Sequence, residues 1–148
     1  MYTFAQSLSH APSGLYLLRG NWRSRRIDAL CRLRRLRLFR IDCRLVRGKA
    51  GFLAAAARSM QFPEWFGNNW DAFADCATDL SWAPASGYVI VLGDVEQFAR
   101  HSPNGFETAL DILEEAAFYW SGLGLAFHIL IASRSVGGSR TLPTVKAP

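Results

Sequence analysis

Asp71, Asp75 and Asp79 recur at intervals of four residues within "FPEWFGNNWDAFADCATDL", residues 62–80, and Trp65 and Trp70 stand beside them. On a helix starting at Asn68 or Asn69, the three carboxylates share one face, offset from an apolar stripe of Trp70, Phe73, Ala77 and Leu80. Like charges at this spacing cost an isolated helix roughly 0.2–0.5 kcal/mol per neighbouring pair, and Asp79 falls where the helix dipole disfavours an anion. Helix stability alone does not explain the arrangement, and a merely solvated face leaves the aromatics unexplained. Paired carboxylates about 5–9 Å apart can serve as general acid and base in glycoside hydrolysis. One exposed helical face in so short a chain provides no obvious substrate cleft, which argues against an enzyme. Acids flanked by aromatics suit a cationic pocket on another protein, where charge complementarity speeds encounter and desolvated rings hold the complex. Glu107, Asp111, Glu114 and Glu115 supply a second acidic helix face, and the Gly67 loop is placed to approach a partner.

The remaining reactive side chains point nowhere else. Cys31, Cys43 and Cys76 are an odd set without C-x-x-C spacing, and His10, His101 and His128 are scattered, so neither a disulfide framework nor a metal site is indicated. No cofactor motif is present. His128 sits in an apolar run and reads as a packed residue; for Cys76 a reactive thiol is the weaker reading.

Charge is segregated. Residues 1–58 hold thirteen Lys or Arg against Asp28 and Asp42, a net +11, whereas residues 59–121 hold ten acids against Arg100, a net −9. The overall +5 is a sum of opposed regions, and a partner follows from the local field. The 148 residues, half of them hydrophobic, suit one domain with one core. No signal sequence is recognisable, and no apolar run approaches the roughly 20 residues of a membrane span, so a cytoplasmic location is expected.

The elements that must position these groups alternate. "GLYLL" (14–18) reads as a strand, residues 24–36 as an Arg-coated helix behind Ser24, and 37–46 as a half-buried strand. "KAGFLAAAARSMQF" reads as a helix ended by Pro63, and the helix after Gly67 runs on until before Pro84. "YVIVL" (88–92) has the pattern of a strand covered on both faces; a helix over 106–121 and "LAFHILIA" as the last strand complete the series. Such alternation predicts an α/β fold with parallel pairing. Residues 134–148 read as a flexible tail.

From about Phe39 to Ser133 the chain resembles the barstar family, intracellular inhibitors of barnase-type guanyl-specific ribonucleases. The resemblance rests on "FPEWFGNNWDAFADCATDL" followed in order by "YVIVL", "NGFETALDILEEA" and "FHILIAS". It implies one domain over 1–133, with a core at 39–133 and an Arg-rich extension at 1–38. The fold implied is a small parallel sheet of three strands, to which the extension adds an edge strand. It also implies a helix that plugs a ribonuclease active site. Asp75 matches an aspartate that enters the enzyme's phosphate pocket, Asp71 its companion, Trp65 an aromatic at the mouth of that site, and Glu115 a glutamate pairing with enzyme cations. Gly67 and Thr78 fall at contact positions, and Trp70 and Asp79 flank them. Ala74, Asp79 and Leu80 stand where the family has tryptophan, glycine and tryptophan, so the rim of the plug differs while its centre is kept.

The expected partner is thus a cationic ribonuclease or related toxin, bound by a chain that is monomeric when free and needs no cofactor. The competing reading is nucleic-acid binding by "RSRRIDALCRLRRLRLFR", whose guanidiniums could follow phosphates. No aromatic RNA-binding motif accompanies that stretch.

Overall fold

The computed structural model describes residues 1–133 and 140–148. The β-branched run at 88–92 forms the strand β4 (Gly87–Gly93), buried along its whole length. Its alternate side chains enter two cores: Tyr88, Ile90 and Leu92 join the larger, Val89 and Val91 the smaller. Burial on both faces is what makes the strand continuously apolar. Its neighbours are β3 (Arg37–Asp42) and β5 (Ala126–Ala132). Beyond β5 lie β2 (Gly14–Arg19), β6 (Thr144–Lys146) and β1 (Tyr2–Thr3). The six-stranded order is β1-β6-β2-β5-β4-β3, and every pairing is parallel.

Helices cover both faces. The larger core is closed by α3 (Lys49–Met60), α4 (Trp70–Ala77), α5 (Glu96–His101) and α6 (Pro103–Gly122). The other face is closed by α1 (Phe4–His10) and α2 (Arg25–Leu33), which contribute Phe4, Ile27 and Cys31. Residues 1–38 therefore do more than lengthen the sheet; they provide the layer that makes the second core.

Three expectations need correction. The sheet has six strands, not three with one addition. The strand from residues 14–19 is internal, between β5 and β6, and not an edge. β5 is not the last strand, because the presumed tail returns as β6. Residues 134–139 of that tail lie outside the described residues. The rest is held by Val145, which is fully buried, and by backbone bonds from Leu17 N–H to Pro143 O at 2.9 Å and from Ala147 N–H to Arg19 O at 2.7 Å. A three-residue strand beside Pro143 is too short to show a period-2 signal. Among the described residues no helix is long and apolar enough to cross a membrane.

Candidate functional site

The acidic stretch is carried on a short helix with a well-defined start. Asn69 caps α4: its Oδ1 accepts from Ala72 N–H at 2.8 Å, while its Nδ2 donates to Gly67 O at 3.3 Å. The first bond satisfies one of the donors that a helix start leaves open, and the second ties the cap to the preceding loop. A Cβ on Gly67 would stand 3.2 Å from Asn69 Nδ2 and 3.7 Å from Ala72 Cβ, so a side chain there would press on the cap. Upstream, Phe66 N–H donates to Pro63 O at 3.0 Å, and the Phe66 ring packs on Phe62, 4.9 Å between centroids. Burying Phe66 turns its neighbour Trp65 outward, where 63% of it remains exposed.

Trp70, at the first position of α4, is half-buried against Phe52 and Phe73 at 6.0 and 6.2 Å. It acts chiefly as packing beneath the site. Phe73, Cys76 and Ala77 are buried on the inner face, and Trp120 of α6 donates its indole N–H to Ala77 O at 2.8 Å. Asp71 and Asp75 occupy the opposite, exposed face. They are one turn apart, about 5–6 Å between Cβ atoms. Neither forms an ion pair among the described residues. The Cys76 thiol beneath them is pushed up to about 11, first by burial and then by the charges of Asp79 and Asp75, so it stays protonated and unreactive.

The helix is shorter than its sequence pattern suggests. It ends at Ala77, with Thr78 as its C-cap; the Thr78 hydroxyl donates to Ala74 O at 3.0 Å and Asp75 O at 3.3 Å. Leu80 then takes a left-handed conformation with φ of 48°, which swings its side chain into the core. This turn corrects one expectation: Leu80 does not continue the apolar stripe of a helix, although it is buried. Asp79, exposed just past the last residue of α4, accepts from the Ser81 hydroxyl at 3.2 Å.

α6 also differs from a uniformly acidic face. Arg140 pairs with Glu107 at 2.8 Å, with Asp111, and with Glu114 at 3.5 Å. Three of the four acids read as a partner surface are thereby engaged from within the chain. Glu115 is exposed and has no ion pair among the described residues. It lies five residues before Trp120, about 7.5 Å along the axis from the contact that joins α6 to α4. Sequence reasoning missed Arg140 because a lone arginine in an apparent tail gives no sign of what it reaches.

Of the eight expected contact residues, Trp65, Gly67, Asp71 and Asp75 thus share the exposed loop and outer face of α4. Thr78 closes that helix, Trp70 lies partly under it, Asp79 is exposed just past its end, and Glu115 stands exposed on α6. Among the described residues no group of three His, Cys, Asp or Glu is disposed to hold a metal. His128, buried in β5, has an unpartnered Nδ1 and meets the edge of Tyr16, far in character from a solvent-facing catalyst.

The family model for barstar, the barnase inhibitor, matches residues 36–132. That span is about two thirds of the chain and contains β3, β4, β5, α3 to α6, Trp65 and Glu115. No curated protein matches the chain. The α4 face, its supporting α6 and the parallel strands beneath them all lie inside the matched span, and the chain belongs to the barstar (barnase inhibitor) family.

Proposed function

We propose that this protein inhibits a cationic ribonuclease of the barnase type, or a related toxin, by inserting α4 into its active site. A ribonuclease grips phosphates with Arg, Lys and protonated His; Asp75 and Asp71 answer those cations with carboxylates that offer no bond to cleave. No reaction is required of the inhibitor. Trp65 stacks at the rim, Glu115 meets a further cation, and Gly67 and Thr78 lie at the edges of the contact. Trp70 and Asp79 support the contact from its margins.

One observation carries this reading: Asp71 and Asp75 are exposed, one turn apart and without an ion pair among the described residues, while Glu107, Asp111 and Glu114 of α6 are held by Arg140. Two of the acids left available therefore sit side by side on one anchored helix. Rigid placement lowers the ordering cost of binding. Charge complementarity raises the encounter rate, a principle established on barstar and barnase themselves. Ala74 is only half-buried and Leu80 is fully turned inward, so the rim lacks the two tryptophans that the family carries there. The buried, free cysteines fit a reducing cytoplasm.

Nucleic-acid binding by the Arg-rich segment has less support. Arg40 pairs with Asp28 at 2.8 Å and Arg23 with Asp42 at 3.3 Å, so part of that segment is committed to the fold. The test is titration of a barnase-type ribonuclease with the purified protein during RNA cleavage, at low and high salt. Stoichiometric inhibition that weakens as salt rises is expected; full ribonuclease activity at excess protein contradicts the proposal.

A further inference from the structure

A second charged feature lies outside the acidic face. Arg44, Leu45, Arg47, Gln97, Arg100 and His101 line a groove of about 530 Å³ between the loop after β3 and α5, and no carboxylate lines it. Arg47 Nη2 stands 3.0 Å from His101 Nε2, and that same ring nitrogen lies 3.0 Å from Gln97 Oε1. Its neighbours' positive charge is felt: the imidazole is held below its ordinary range by local desolvation and then by Arg47 and Arg100.

The contrast with the rest of the chain is informative. Arg23 reaches Asp42 and Asp94, Arg40 reaches Asp28, and Arg140 reaches three acids. Arg44, Arg47 and Arg100 form no ion pair among the described residues, although Asp42 and Glu96 are close in sequence. Asp42 is turned to Arg23 and to the Arg44 backbone N–H, and Glu96 accepts from the Ser133 hydroxyl. Three arginines therefore line one groove without an ion pair among the described residues. Such forks match the oxygen geometry of phosphate, with two parallel N–H donors to each group.

We infer that this groove binds phosphate groups, borne either by a small phosphate compound or by the backbone of a single RNA strand. It uses none of the α4 residues and does not depend on the inhibitor reading. The groove is close in size to small-ligand sites, and Leu45, 82% exposed, gives it an apolar lip.

The test uses the full chain with two probes at low ionic strength, pyrophosphate and a single-stranded RNA octanucleotide. An Arg47→Gln/Arg100→Gln variant is compared with Arg25→Gln/Arg32→Gln, which removes equal charge from exposed positions of α2. Circular dichroism checks that both variants are folded. The groove variant should weaken binding by about tenfold or more, and the α2 variant by less than about threefold. Pyrophosphate binding with this sensitivity identifies a small phosphate ligand; RNA binding alone with the same sensitivity identifies a strand. Equal losses in both variants, or no binding of either probe by the unaltered protein, overturns the inference.

Discussion

Replacing Arg140 with alanine should destabilise the fold by about 1.5–3 kcal/mol, with most of that loss dependent on salt. The Arg140 side chain is only 17% exposed, whereas Glu107, Asp111 and Glu114 are 38%, 62% and 56% exposed. Solvent screening therefore limits each pair to about 0.2–1 kcal/mol. Three pairs give about 1–2 kcal/mol. Without the guanidinium, carboxylates at i, i+4 and i+7 face one another along α6, at a further roughly 0.2–0.5 kcal/mol for each neighbouring pair. In a chain of 148 residues the total corresponds to a fall in melting temperature of about 3–12 °C. The assay is thermal unfolding of the protein and the variant at low and at high sodium chloride. Their gap should narrow as salt screens both the lost attraction and the new repulsion, and Arg140→Lys should recover only part of it, because one ammonium cannot fork to three acids. A gap of the same size at both salt concentrations would show that Arg140 contributes through alkyl packing alone, and the electrostatic account of α6 would fail.

Three further outcomes are expected. Asn69→Ala should cost about 1 kcal/mol and Asn69→Gly only a few tenths, read from urea midpoints, because both remove the side-chain acceptor but glycine, without a Cβ, leaves the freed N–H groups open to water. His128 is buried, and loss of water holds its pKa below the ordinary 6.5. The unfolded chain then binds the proton first, so this contribution is fully present above about pH 6.5 and is lost as pH falls through that value toward the folded one. His128→Leu should flatten the decline in stability between pH 7 and about pH 5, and an unchanged decline would assign it to other groups. The thiols of Cys31 and Cys43 are pushed up to about 12 and that of Cys76 to about 11, chiefly by burial. A disulfide reagent at about pH 8 should leave all three untouched in the native protein and react with all three once urea unfolds it.

The elements with a strong local pattern could be read directly. The unbroken β-branched run of β4 signalled burial on both faces, and Ser24 marked the start of α2, where its hydroxyl accepts from Arg26 N–H at 3.2 Å. The capping box of α1 was also present in the letters: Thr3 and Gln6 bond reciprocally at 3.2 and 2.9 Å, yet the helix is only seven residues long and escapes a periodicity argument. What stayed hidden was tertiary. β6 exists because Val145 and the backbone of β2 capture a short segment far along the chain. Likewise, α4 stops early because a left-handed turn at Leu80 buries that side chain, which helical periodicity alone does not show. The spacing of Asp71 and Asp75 was local and survived; the availability of the α6 acids was not local, because Arg140 decides it.

The most direct measurement is the dissociation constant for a barnase-type ribonuclease of the unaltered protein, Asp75→Ala and Asp111→Asn. Both substitutions remove one exposed acid from the same half of the chain, but Asp75 on α4 has no ion pair among the described residues and Asp111 is held by Arg140. If α4 fills the phosphate site, Asp75→Ala should weaken binding by more than about 100-fold, since it leaves enzyme cations buried without a partner, while Asp111→Asn should change it by less than about threefold. Equal changes in the two variants would contradict the central claim.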